Sequence, residues 1–242
     1  MKLRKIICLG FALGLLFFAA LGSKAAGSGY KFGELTDLAN KYQTDKGYGH
    51  HYTEVYEYFF YPIKYEAKKI LEIGIEKGGS LKMWRDYFPN AVIYGIDIQD
   101  SSMFNSKTIK TFVADQADRK KMQAFIDTYG DSFDIILDDG GHSMQQQQTS
   151  FGYLFKYLKP GGYYIIEDVH TSIFAYYNNS YGALPAEDNT TLTMINGFVK
   201  TGIVNSKYTL EEESNYLNAN IVYCNILSRD NGRSITCIFK KK

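Results

Sequence analysis

The sequence predicts an α/β fold: a doubly wound, mostly parallel seven-stranded sheet that ends in a C-terminal antiparallel hairpin. Three observations carry this. Between Lys69 and Ile166, short β-branched runs alternate with helix-length segments, the pattern of βαβ units. Two of the runs stop abruptly in carboxylates, in FDIILDDGGH and YYIIEDVH, and open parallel sheets bind ligands at the carboxyl ends of their strands. Near the C-terminus, NIVYCNIL and SITCIF flank SRDNGR, which has the chemistry of a hairpin turn.

The elements follow in order. MKLRK, the apolar run Ile6–Leu21 and GSKAAGSG give the three regions of a secretory signal. Sixteen apolar or small residues fall short of the about 20 that span a bilayer. Residues 1–26 are therefore read as a signal peptide cleaved near Ala25 or Ala26, with an uncleaved membrane anchor as the alternative. Either reading exports the domain, to a periplasmic, lumenal or secreted location, or ties it to a membrane. Removing residues 1–26 takes away four basic residues and no acid, turning a net charge of +1 into −3. No basic stripe or Arg-rich helix is present, which speaks against nucleic acid as a partner. No linker divides residues 27–242, a length that suits one α/β domain with a full core.

Within that domain, residues 27–66 read as a helical cap. FGELTDLANKYQ carries apolar residues at helical spacing, TDKGYGHHY breaks at Gly47 and Gly49, and an aromatic helix follows that Pro62 ends or kinks. The regular part comes next: strand KILEIGI, turn EKGGS, helix LKMWRDYF and strand AVIYGIDI. A short strand near Lys110–Val113, a helix over Arg119–Tyr129, strand Phe133–Leu137, a helix over Met144–Leu158, a Pro-Gly-Gly turn and strand Tyr163–Ile166 continue the alternation. The loop SIFAYYNNSYGALP, a helix from about Asn189 to Val204 and the hairpin complete the chain. Trp84 and the aromatic run Tyr56–Tyr61 recur at helical spacing and belong to the core. Cys224 and Cys237 sit almost opposite each other on the hairpin, compatible with a disulfide or with two buried thiols.

Three constellations carry chemistry. In LEIGIEKGGSL a strand meets a glycine-rich turn that opens a helix; Gly74 and Gly78 let the backbone approach a ligand, and the helix start at Ser80 offers free N–H groups. The spacing is not the dinucleotide fingerprint, and Glu72 in the strand disfavours a pyrophosphate while suiting a cationic ligand. Asp97 ends the next strand, where a carboxylate accepts hydrogen bonds from ribose hydroxyls. Asp115 and Gln116 follow the third strand, within reach of an adenine edge or as a helix cap. A ribose, a positive charge and no phosphate together fit S-adenosylmethionine.

The third constellation combines Asp139 of DDGGH with Glu167 and Asp168 of IIEDVH. Hard cations such as Mg²⁺ take oxygen ligands, and carboxylates from two neighbouring strand ends supply them. His142 follows the glycine pair and is placed to remove a proton from a metal-held hydroxyl. Asp138 reads as donor-facing or structural.

LEIGIEKGGSLKMWRDYFPNAVIYGIDI, DIILDDGGH with its glutamine-rich helix, and SFGYLFKYLKPGGYYIIEDVHTS together resemble the macrocin and mycinamicin O-methyltransferases, a class I, Rossmann-like methyltransferase group that includes cephalosporin-hydroxylase-like sequences. TDKGYGHHYTEVYEYFF resembles that group's segment ahead of the first strand, with Tyr52 and Tyr56 lining the pocket. The resemblance spans about Leu35–Ser172. It implies a Mg²⁺-assisted O-methyltransferase that uses S-adenosylmethionine on a hydroxyl of a sugar or glycosylated small molecule. His142 matches the histidine base, Asp139 the aspartate before it, and Glu167 and Asp168 the acid pair. The antibiotic-pathway members carry an additional N-terminal region that helps assemble their oligomer and macrolide pocket; this sequence lacks it, so their large acceptor does not carry over, and a homo-oligomer stays open. Two rival readings use the same residues: a non-catalytic domain that binds a nucleoside or glycan, and a metal-dependent hydrolase.

Overall fold

Lys69–Ile73 (β1), Val92–Asp97 (β2), Ile109–Val113 (β3), Phe133–Asp138 (β4), Leu158–Ile166 (β5), Ile221–Arg229 (β6) and Ser234–Lys241 (β7) form one sheet in the order β3-β2-β1-β4-β5-β7-β6. The structure is a computed structural model that describes residues 32–229 and 233–242. The leader reading for residues 1–26 thus lies outside the described residues, as does the centre of the hairpin turn. β1 to β5 run parallel, and β7 enters antiparallel between β5 and β6, as the strand pattern and hairpin predict. The order reverses at β1, which pairs with both β2 and β4. This switch point opens the crevice in which such sheets bind ligands.

Strand periodicity decides what reaches each face. Ile70, Ile93, Ile135, Leu137, Tyr163 and Ile165 pack on one side with Trp84, Tyr56, Phe60 and Phe88. Leu71, Ile96, Ile136, Tyr164 and Ile166 pack on the other with Phe125, Phe151 and Phe155. The first side is covered by Glu34–Tyr42 (α1), Asp45–Tyr48 (α2), Thr53–Phe60 (α3) and Gly79–Tyr87 (α4). The second is covered by Arg119–Tyr129 (α5), Met144–Leu154 (α6), Thr191–Thr201 (α8) and Glu211–Asn220 (α9), with the four-residue Phe174–Tyr177 (α7) between α6 and α8 in sequence. Trp84, Tyr56 and Phe60 are core, as their helical spacing predicts, whereas Tyr58 of the same run is exposed. Local chemistry sets the helix ends: Asp118 caps α5 by accepting from Lys120 and Lys121, Ser143 caps α6, Thr190 caps α8, and Gly202 ends α8 in the left-handed region.

Pro62 ends the aromatic helix as expected, with a 3-10 turn over Tyr61–Ile63 following Phe60, whereas other boundaries differ from the sequence expectation. α6 stops at Leu154 and tightens into a 3-10 turn, so Leu158 belongs to β5. Pro160 and its glycines lie inside β5 at a register shift between Phe133 and Ile135, the kind of position that tolerates a missing N–H. α9 does not announce itself in the sequence, because of its ten residues only Glu213 and Leu217 are buried. Both hairpin cysteines are free; Cys224 lies opposite Phe239 and Cys237 opposite Ile226, two positions out of register. Among the described residues no helix is long and apolar enough to cross a membrane.

Candidate active site

A cleft of about 970 Å³ lies over the carboxyl ends of β1, β2, β3 and β4, at the upper end of the size range for small-molecule sites. Gly74, Ser80, Asp97, Asp115, Gln116, Asp139, His142 and Asp168 line it. Gly74 has φ +90°, and a Cβ there would run into the Asp139 carbonyl. The turn after β1 and the loop after β4 therefore touch through a position that only glycine fills without strain. Asp97 holds the same turn, with Oδ2 accepting from the backbone N–H of Ile75 at 2.8 Å and Glu76 at 3.3 Å, and Oδ1 from Gln99 at 2.9 Å.

The DDGG loop is fastened from the other side. Asp138 points to the α6 face, the face that Ile136 two residues earlier also takes, and is fully buried. Its carboxylate accepts from the Ser150 and Tyr164 hydroxyls, from the Gln116 amide at 2.8 Å and from the Gly140 N–H. Burial outweighs these donors and pushes its pKa up to about 6. The Gln116 Oε1 accepts from the Gly141 N–H at 2.9 Å, and a Cβ on Gly140 would overlap that oxygen. Gln116 is 4% exposed, so this amide, read from sequence as facing adenine, spends both ends on the loop. Asp115 accepts from the Ala117 N–H at 2.8 Å and keeps a face on the cleft.

One residue later the side chains turn to the cap. Asp139, Glu167 and Glu72 gather around Lys46 of α2, which is 1% exposed. Its ammonium donates to Asp139 Oδ2 and to Glu167 Oε2 at 2.7 Å, and lies 3.5 Å from Glu72 Oε1. Tyr56 donates to the second Glu167 oxygen at 3.0 Å, and Ser80 to the second Glu72 oxygen at 2.7 Å. Burial raises the pKa of Glu72, Asp139 and Glu167. Burial also opposes the Lys46 charge, yet the facing carboxylates hold its pKa well above the usual lysine value.

β5 has ended at Asp168, which has φ +52°, so Glu167 and its neighbour no longer point to opposite faces. Tyr52 donates to Asp168 Oδ1 at 2.9 Å. Asp168 Oδ2 faces His142 Nε2 at 3.6 Å, and Asp139 Oδ1 faces the same nitrogen at 3.9 Å. Burial would raise the Asp168 pKa, but the imidazoles of His142, His50 and His170 and the Tyr52 hydroxyl outweigh it and hold it low. Ligand atoms of Asp139, His142 and Asp168 lie within 4.8 Å of one another. The two carboxylates, opening into the cleft, fit a hard divalent cation that takes oxygen ligands and keeps several waters, and they leave the imidazole beside it as a base. Aromatic rings continue from His142 away from the cleft: Tyr181 is 6.4 Å from His142, Tyr177 is 5.6 Å from Tyr181, and the buried His170 is 5.7 Å from Tyr177, centroid to centroid.

Not every residue singled out in the sequence reaches the cleft. Glu72, Asp138 and Glu167 lie beneath its wall, and Gly78 backs onto the Phe104 ring instead. Glu167 thus meets Asp139 through Lys46 rather than across the Asp139–His142–Asp168 opening. Lys46 itself was missed. A lysine between an aspartate and a glycine reads as a solvated loop residue, and only the resemblance of TDKGYGHHY to a family segment marked the stretch.

Comparison with known proteins places this arrangement in context. The chain is similar to the 8-demethyl-8-alpha-L-rhamnosyl tetracenomycin-C 2'-O-methyltransferase of Streptomyces olivaceus, 37% identical over 183 residues, 73% of this chain and 46% of the relative. It is similar to the mycinamicin VI 2''-O-methyltransferase of Micromonospora griseorubida, 38% identical over 65% of this chain and 42% of the relative. Among solved structures, the MycE methyltransferase of the mycinamycin pathway, in complex with Mg, SAH and mycinamycin VI, matches with a TM-score of 0.71 at 32% identity, over 86% of this chain and 54% of that one. The chain spans under half the length of these two relatives. No family model matches it.

Proposed function

We propose, for a chain that belongs to the family of macrocin- and mycinamicin-type sugar O-methyltransferases, transfer of a methyl group from S-adenosylmethionine to a hydroxyl of a sugar or glycosylated small molecule, assisted by Mg²⁺. One observation carries the reading: the Asp139–His142–Asp168 cluster opens into the same cleft as Asp97 and the turn from Gly74 to Ser80. A donor lying along that turn ends beside the acids. The MycE complex holds Mg and SAH together, in line with this pairing.

The chain's own groups divide the work. Asp97 and the turn it braces hold the donor's nucleoside, with Asp115 beside them. Asp139 and Asp168 would hold Mg²⁺, with Glu167 behind Lys46 as the third carboxylate of the strand ends. Bound Mg²⁺ lowers the pKa of an acceptor hydroxyl. His142 Nε2, facing both aspartates, takes the hydroxyl proton. The acceptor oxygen attacks the methyl carbon, the carbon–sulfur bond breaks, and its electron pair stays on sulfur to give S-adenosylhomocysteine. Holding oxygen and methyl group in line supplies much of the rate.

Calorimetry of the full chain with S-adenosylhomocysteine, with and without Mg²⁺, tests the reading. Binding in the cleft supports it, and no binding in either condition refutes it. Affinity for a sugar without donor binding favours the glycan-binding rival. Residues 1–26 are proposed as an export signal or membrane anchor on the strength of their charge and apolar pattern. N-terminal sequencing of the protein recovered from its host checks this, and a full-length soluble chain refutes it.

A further inference from the structure

The acid cluster contains one feature that methyl transfer does not call for. A lysine 1% exposed sits with its ammonium among Asp139, Glu167 and Glu72, and reaches 93 positions along the chain to the first and 121 to the second. An isolated ammonium or carboxylate is costly to bury, so each compensates the other. Lys46 takes Asp139 by its Oδ2 oxygen while Oδ1 faces His142. It also holds one Glu167 oxygen while Tyr56 takes the other. Of the two aspartates that a divalent ion would draw on, Asp139 is thus already paired with a positive charge supplied by the cap.

We propose that Lys46 is the resident cation of this site, a positioning residue that holds Asp139, Glu167 and Glu72 together in the absence of metal and competes with the divalent ion for Asp139. The inference rests on the metal-assisted reading above. Its physical basis is Coulombic: the ammonium and a divalent ion sharing Asp139 repel each other across a few ångströms of partly desolvated protein. The same ammonium offsets part of the cost of burying the Glu72 and Glu167 carboxyls near each other. Lys46 therefore makes the site preformed and its metal exchangeable. Without it, the carboxylates depend on the metal to stay together.

The test titrates Mn²⁺ alone into the full chain at pH 8, read by the paramagnetic resonance of free and bound ion, with thermal melts of the same samples. Lys46→Met should bind Mn²⁺ at least tenfold more tightly than wild type. It should melt well below wild type without metal and recover most of the difference with it. Lys46→Arg keeps the charge and should stay within about threefold of wild type. Lys46→Gln retains a donor without the charge and should follow Lys46→Met, which preserves the test if the methionine variant does not fold. If wild type binds Mn²⁺ and the neutral variants bind it equally or more weakly, the competition is refuted while the metal site stands. If neither wild type nor the variants bind Mn²⁺, the metal site of the proposed function fails, and this inference fails with it.

Discussion

Replacing Gln116 by Ala separates two roles that its position after β3 allows. In the structure its amide is buried, donates to Asp138 Oδ1 at 2.8 Å and accepts from the Gly141 N–H at 2.9 Å. Alanine removes these bonds, together with a longer one from Nε2 to Ser150 Oγ at 3.3 Å, and leaves a buried acceptor and a loop N–H without this partner. Leaving one buried polar group unsatisfied costs about 1–3 kcal/mol, and Asp138 keeps three other donors, so a total of about 3 kcal/mol is the reasoned value. For a domain of this size that lowers Tm by roughly 6–12 °C. Urea unfolding followed by tryptophan fluorescence, which reports on the buried Trp84, measures the change. Hydrogen exchange of the Gly140–His142 amides reports the loosened loop. Affinity for S-adenosylhomocysteine should fall only modestly, through the loop. A loss of stability below about 0.5 kcal/mol together with a large loss of donor affinity would refute the structural role and return Gln116 to the adenine edge.

Three further outcomes follow from the same geometry. His142→Ala should lower turnover by about 10²–10⁴-fold with donor affinity unchanged, as single-turnover methylation and calorimetry would show; wild-type turnover in the presence of Mg²⁺ rules out the base. Gly74→Ala forces an L-residue to φ +90° against the Asp139 carbonyl and should both destabilise the fold and weaken donor binding, seen as a lower urea midpoint and a higher Kd; a neutral effect on both contradicts the close approach. Asp138 has a folded pKa of about 6 against 3.8, so its protonated form is favoured on folding. Its contribution is full below about pH 4 and is lost as pH rises through 6, at most about 3 kcal/mol. Asp138→Asn should flatten that part of the stability profile between pH 4 and 7, and a profile identical to wild type shows that the shift is absent.

The local record of the sequence reaches a long way into the fold. α5 occupies Arg119–Tyr129 as its apolar spacing predicts, and five parallel strands followed by a hairpin are present in the expected order. Strand alternation even explains why adjacent acids part company, Asp138 toward α6 and Asp139 toward the cap. α9 escaped because Glu-rich helices with two buried residues leave little periodicity to detect. At the site, the sequence marked where acids and histidine end the strands but not whom they touch: Gln116 binds the DDGG loop, and Glu167 meets a lysine that no spacing singled out.

By itself, then, the sequence determined the α/β class and the strand ends at which acids and histidine gather, because hydrophobic period and glycine-acid punctuation are local properties of the chain; the family came from the resemblance of its motifs. Tertiary structure alone decided that Lys46 neutralises Asp139, Glu167 and Glu72, that Asp138 is internal, and that Asp139, His142 and Asp168 share one opening. Those outcomes depend on distances between residues as far as 121 positions apart, which only the packing of the cap against the sheet can set.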